Sequence, residues 1–336
     1  MEGELFLTSL ISVALLLVTA IPGFIIGKLK MIDSEGAVKF LSVMLLYVCQ
    51  PFVTFNSFLN TPYDSSVLVG LVAVFLFTCV SMSAILFGGY FLVRRFRSID
   101  CDTAGIMAYG GAFGNVGYMC IPFLQLLDPG NHIIILYATC SVVAFNLIAW
   151  TLGNYVLTRE RRFISLKSAI LNPPTLSFII ALPLFMLNIN FLGASELTGA
   201  AADAVSGLAN ICELFSDMVG PLAMTLLGIK LAEMKAKELF NDKRAYVAVA
   251  IKLVAAPLIG FALVYLMSTF MDVTPISLNL IALSAMPCAN NIMMFATILN
   301  RDSTLAAKEV MISTVLSCIT IPVILLILTQ CPGIYA

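Results

Sequence analysis

Ten times along this chain an apolar run of about twenty residues is closed off by charge or by turn-forming residues, and no other feature limits the fold so severely. That is the length an α-helix needs to cross about 30 Å of hydrocarbon. The runs are apolar on every side rather than alternating, so the pattern of a membrane β-barrel is missing and backbone polar groups must be satisfied within helices. Composition agrees: 60% of the 336 residues are hydrophobic and 11% charged, against roughly 25% charged in an ordinary soluble domain. A water-soluble enzyme is excluded, and the expected class is an all-α polytopic membrane protein. The runs place ten spans near 5–27, 37–58, 66–93, 104–127, 132–157, 173–192, 205–231, 245–270, 276–298 and 308–330. Glu2 and Glu4 stand where a secretory signal would carry basic residues, and no small-residue cleavage site closes the first run, so it is read as span 1.

The basic residues test that count, because connections rich and poor in Lys and Arg should alternate across a membrane. Lys28, Lys30 and Lys39, then Arg94, Arg95 and Arg97, then Arg159, Arg161, Arg162 and Lys167, fall in the first, third and fifth connections. Lys230, Lys235, Lys237, Lys243 and Arg244 fall in the seventh, and Arg301 and Lys308 in the ninth. Seventeen of the 18 basic residues thus lie in odd-numbered connections, and the exception, Lys252, lies inside span 8. Both termini are expected to be extracytoplasmic, in a plasma membrane or a bacterial inner membrane. Five spans per half is an odd number, so two halves of one fold, residues 1–162 and 163–336, would be inserted in opposite senses. Pro22 then matches Pro183, Gln50-Pro51 matches Gly220-Pro221, and an interrupted span 4 matches an interrupted span 9.

Those interruptions are the functional signal. Span 4 contains Gly110, Gly111, Gly114, Asn115, Gly117 and Pro122 where a lipid-facing helix would carry Leu and Val. Pro122 lacks a donor and clashes with the carbonyl near Tyr118, while Gly114 and Gly117 each cost about 1 kcal/mol against Ala in a helix. Span 9 repeats the ingredients in Pro287, Asn290 and Asn291. Broken helices at membrane depth survive only where they are buried in protein or line a watery cavity, and a matched pair points to a binding site. Half-helix N-termini there would offer N–H groups and partial positive charge to a carboxylate or another small anion. Close helix packing through small residues is the competing reading of the glycines, and interhelical bridging that of the asparagines. Pro22, Pro183, Pro257 and Pro322 are read as structural kinks.

The stretch Phe113-Gly-Asn-Val-Gly-Tyr-Met-Cys-Ile-Pro122 resembles the fourth-helix signature of the auxin efflux carrier family, which includes plant auxin carriers and bacterial organic-anion transporters. Ala285-Met-Pro-Cys-Ala-Asn-Asn-Ile-Met-Met-Phe-Ala296 is similar to its ninth-helix crossover segment. Asn172-Pro-Pro174, Pro221-Leu-Ala-Met-Thr-Leu-Leu-Gly228 and Lys252-Leu-Val-Ala-Ala-Pro257 also fit. The resemblance implies two inverted five-helix repeats whose fourth and ninth helices cross at the bilayer midplane. It further implies a scaffold of spans 1, 2, 6 and 7, a transport domain of spans 3–5 and 8–10, a homodimer formed through the scaffold, and elevator-like exchange of access. The candidate substrate-binding residues are then Asn115, Gly114, Pro122, Pro287, Asn290, Asn291 and Gln50. Plant members carry a second proline where this chain has Asn290 and Asn291, and a much longer central loop, which argues against auxin as the substrate.

Three charged residues inside spans are candidates for ion coupling. Glu213 and Asp217 lie four apart on one helical face, roughly 26 and 20 Å from the cytoplasmic boundary. An ionised carboxylate at the depth of Asp217 must pair, face water or take up a proton, which makes it a candidate H⁺ or Na⁺ site. The alternative is that both acids line an outward vestibule as solvated residues, the preferred reading for Glu213. Lys252, roughly 11 Å into span 8, either attracts the anion near the crossing or snorkels to the inner interface; the structural reading is preferred. His132, the single histidine, is expected in a loop and cannot form a His-based metal site. The nine Cys form no ligand-spaced set, so neither disulfide nor metal nor other cofactor is expected.

The leading functional expectation is a secondary transporter of a small organic anion, a mono- or dicarboxylate. The alternatives are a carrier of a neutral or zwitterionic solute, suited by the uncharged Asn and Gln side chains, and a metabolite-sensing receptor or channel. No catalytic or phosphate-binding motif appears, so an enzyme is not expected.

Overall fold

The computed structural model describes residues 2–191, 199–233 and 241–335; Lys235 and Lys237, counted above, lie outside them. Among the described residues seven helices are long and apolar enough to cross a membrane: Glu4–Lys28, Ser34–Leu59, Ser65–Arg94, His132–Thr158, Ala200–Glu233, Lys243–Ser268 and Ser303–Thr329. The pair Arg161–Ile170 and Pro173–Met186, bent by 46°, makes an eighth if it is one span. The remaining two apolar segments, 104–127 and 276–298, are interrupted. Cys101–Ala112 gives way at 113–115 before the helical stretch Val116–Leu127, and Thr274–Ala285 gives way before Asn291–Ile298. The chain is therefore an all-helical multi-pass membrane protein.

Local sequence explains where the helices start. Asp33, Asp64, Asp100, Asn131, Asn172, Asp242 and Asp302 each turn a side-chain oxygen onto a backbone N–H of the following helix, satisfying one of its orphan donors. Prolines explain where the helices loosen. Pro51, Pro122 and Pro257 each sit at the second position of an α-helix that directly follows a π-turn, at Met44–Cys49, Val116–Cys120 and Ile251–Ala255. A proline cannot donate, and its ring needs clearance from the preceding turn. The wider turn supplies it, the residue before each proline reaching back five residues to Leu45, Val116 and Ile251.

Ion pairs gather four of the five basic connections at one end of the bundle. Asp102 accepts from Arg159 and, at 2.6 Å, from Arg301. Asp242 pairs with Arg244 at 2.8 Å and Lys308 at 3.5 Å, and Arg244 also faces Asp302 at 3.7 Å. Hydrogen bonds to Arg244 hold the Asp242 carboxyl at about 2, below the ordinary aspartate value. At the other end, the Tyr63 N–H donates to Asn188 and the Phe191 N–H to the Leu59 carbonyl.

Small residues let helices approach closely where lipid offers no hydrophobic drive. The helix Val219–Glu233 lies along Ile21–Lys28. A Cβ at Gly228 would overlap the Ala20 carbonyl oxygen, and one at Gly23 the Thr225 carbonyl oxygen. Pro173–Met186 and Ala200–Asp217 pack on Gln50–Leu59. A second set of neighbours surrounds the interrupted segments: Ser65–Arg94 packs on Cys101–Ala112 and His132–Ile148, while Lys243–Ala250, Thr274–Ala285 and Asn291–Ile298 pack on Ser303–Thr329.

Candidate functional site

The two interrupted segments meet backbone to backbone. Gly114 and Cys288 form an antiparallel bridge, in which the Asn115 N–H donates to the Pro287 carbonyl at 2.8 Å and the Ala289 N–H to the Phe113 carbonyl at 2.9 Å. The Cys288 N–H donates to Ser313 Oγ at 3.0 Å, tying the crossing to the helix Ser303–Thr329. These groups were expected to be free at membrane depth. The structure corrects this in part, because the two breaks satisfy each other before any ligand is considered, as the cost of a bare peptide group in an apolar interior requires. Aromatic rings fix the geometry: Tyr109 stacks on Phe113 with centroids 4.1 Å apart, and Phe295 packs between Tyr109 and the edge of Trp150.

Lys252 departs from its preferred reading. It is only 2% exposed, and its Nζ stands 3.1 Å from where a Cβ on Gly114 would sit. It does not snorkel; the π-turn Ile251–Ala255 directs it to the crossing. Among the described residues it makes neither an ion pair nor a hydrogen bond. Glycine at position 114 leaves room for this approach, since a Cβ there would press on the amine and, at 3.3 Å, on the Leu283 carbonyl.

The other candidates separate into three groups. Asn115 is 5% exposed; its carbonyl accepts from the N–H groups of Met119 and Cys120, and its side-chain amide has no hydrogen bond among the described residues. Gln50, 2% exposed, donates from Nε2 to the Gly117 carbonyl at 2.9 Å, so the helix Gln50–Leu59 touches the break directly. Pro122 faces Gly220 across a 3.3 Å gap to where a Cβ would lie. Asn291 donates to the Tyr109 hydroxyl at 3.0 Å, while the Oδ1 atoms of Asn290 and Asn291 are buried without a partner. Asn115, Gly114, Pro287 and Lys252 thus come together, with Gln50 one contact away.

Glu213 and Asp217 lie elsewhere. Both are exposed, on a cleft of about 230 Å³ lined also by Asn56, Ser57, Gln125, Asp128, Asn131 and His132. One wall comes from Gln50–Leu59 and Ala200–Asp217, the other from the helices that follow the first break. His132 therefore opens a helix on the cleft rather than sitting in a loop. Asp217 is a cleft residue, exposed to solvent rather than held in the interior. The deep acid is Glu309, which sequence reasoning missed. It is 0% exposed, both carboxyl oxygens lack a hydrogen bond, and it presses on Gly110, whose missing side chain makes its room. It had been placed at the boundary of the tenth run. Asp302 caps the helix seven residues earlier, so the capping signal Asp-Ser-Thr-Leu was the clue that could have placed it.

A family model described as membrane transport protein matches residues 156–325, the stretch that holds Lys252, the second break and Glu309. No curated protein matches the chain.

Proposed function

Because the chain belongs to the membrane transport protein family, which is the auxin efflux carrier type of membrane transporter, we propose that it moves a small organic anion, a mono- or dicarboxylate, by elevator-type alternating access. The two interrupted segments add to the eight candidate spans to give ten, arranged as inverted repeats at 1–162 and 163–336. Spans 1, 2, 6 and 7 form the scaffold and the dimer contact, and spans 3–5 and 8–10 carry the substrate. The end bearing the ion-pair network faces the cytoplasm, which puts both termini on the opposite side of a plasma membrane or bacterial inner membrane.

One observation carries the anion reading: a lysine amine, buried and without a partner among the described residues, stands against the crossing of the two broken helices. An ammonium without a partner in an apolar interior is unfavourable by several kcal/mol, so its retention there calls for a counter-charge that comes and goes. Asn115, with its free amide, supplies donors beside it. The cleft lined by Asn56, Gln125, Glu213 and Asp217 lies between the two helix sets, and Gln125 stands three residues beyond Pro122 in the chain.

A thermal-shift screen of the purified protein tests this, since ligands that bind only the folded state raise its melting temperature. Mono- and dicarboxylates are expected to raise it, by about 3 kcal/mol of stabilisation at a hundred times Kd. Shifts with neutral amides or zwitterionic amino acids and none with carboxylates would transfer the site to the neutral-solute alternative.

A further inference from the structure

Among the described residues Glu309 carries the one fully buried carboxyl group. Glu309 lies six residues, roughly 9 Å, into the helix Ser303–Thr329. Neither oxygen has a hydrogen-bond partner among the described residues. Gly110, in the half-helix leading to the first break, leaves the space the carboxyl fills. Charged and titratable groups surround it without touching it. Asp242 and Arg244 come from the start of the Lys243–Ala250 helix, Asp302 and Lys308 from its own helix, Tyr109 from the half-helix beside Gly110, and Cys288 from the second break. Arg244 and Lys308 are both engaged by Asp242, and among the described residues no cation pairs with Glu309.

An ionised carboxylate in such a place would forfeit its hydration and gain nothing in return, whereas the protonated acid is neutral and fits. We propose that Glu309 is a proton-binding site that couples one proton to each organic anion moved in the same direction; this rests on the anion reading above. The coupling follows from placement. The Cys288 thiol lies within electrostatic reach of both Glu309 and Lys252, so the carboxyl and the amine flank the second break. With Glu309 ionised, its charge offsets that of Lys252 and opposes a substrate carboxylate; with Glu309 protonated, the attraction is free to act on the substrate. Two unit charges separated by one intervening side chain alter an affinity by about tenfold at the effective dielectric of a protein interior. The step is a protonation alone: one O–H bond forms on the carboxylate at the loading side ahead of the anion, and it breaks on release at the far side, close to the Asp242 and Asp302 carboxylates if that side is the basic end.

Two measurements on the full chain decide the matter. In the first, infrared spectra of the purified protein at pH 7 are compared with those of E309Q. A protonated-carboxyl stretch present in wild type, shifted in E309D and missing from E309Q, is expected; the absence of such a difference overturns the proposal. In the second, proteoliposomes containing valinomycin and equal potassium on both sides take up labelled malonate, succinate or lactate, with protein-free vesicles as the blank. A gradient of one pH unit, acid outside, should raise steady-state accumulation about tenfold in wild type. E309Q should keep exchange of internal for external acid but lose the response to the gradient. Uptake that ignores pH, follows sodium instead, or responds to pH equally in E309Q would overturn the coupling. If none of the acids moves, it is the anion reading that fails, and the infrared comparison still decides whether Glu309 holds a proton.

Discussion

Ser313 has one task that can be isolated. Its Oγ accepts the Cys288 N–H at 3.0 Å, and both residues are 0% exposed. Ser313→Ala removes the acceptor and leaves a buried peptide N–H at the crossing with nothing to bond. That costs about 1–3 kcal/mol, a shift of roughly 5- to 150-fold in the folding equilibrium at about 1.4 kcal/mol per tenfold. Ser317 is the matched control: it is equally buried on the same helix, but its hydroxyl only donates to the Thr314 carbonyl. Ser317→Ala orphans no donor and should cost less than about 1 kcal/mol. Equilibrium unfolding of both variants in mixed micelles measures the difference. Ser313→Ala must be the less stable by about 1 kcal/mol or more; equal stabilities would mean that the second break is not anchored through that bond.

Other expectations follow from single contacts. Gly228→Ala should destabilise by about 1–3 kcal/mol, because its Cβ would meet the Ala20 carbonyl and, at 2.6 Å, the Phe24 nitrogen. Gly88→Ala, with nothing within 4 Å, should stabilise its helix by about 0.5–1 kcal/mol, and thermal unfolding separates the two. Asp242→Asn should lower the melting temperature at neutral pH. Because the folded carboxyl sits at about 2, below the ordinary aspartate value of 3.8, the deficit should be full above about pH 4 and fade as pH falls towards 2. Asn115→Ala should weaken transport while leaving expression intact; unchanged uptake kinetics would return that side chain to a packing role.

The breaks were legible because proline, clustered glycine and asparagine are local signals, and both fell within a few residues of their expected places. Proline also pointed to three loosened turns, though not to the one at Ala149–Gly153, and composition could not show that Pro51, Pro122 and Pro257 are accommodated by a π-turn rather than a kink. Lys252 was legible as a charge within span 8, yet its destination depends on which way a widened turn faces, and position along a helix carries no such direction. Glu309 was lost because it is the second residue of the apolar run at 308–330, where hydropathy marks only a boundary, whereas the Asp302 cap starts the helix at Ser303 and puts the acid six residues inside it. Asp217 shows the converse: height above a boundary does not imply burial when a cleft cuts into the bundle.

The decisive measurement is a titration of Lys252→Met, beside wild type, with whichever carboxylate shifts wild type most. Removing the amine should weaken binding by about 10- to 150-fold, the loss of a charge-assisted hydrogen bond worth about 1.5–3 kcal/mol. The same variant, relieved of a buried unpaired charge, should melt at a higher temperature than wild type when no ligand is present. Unaltered affinity, or weaker binding together with a lower melting temperature, would contradict a substrate site at the crossing.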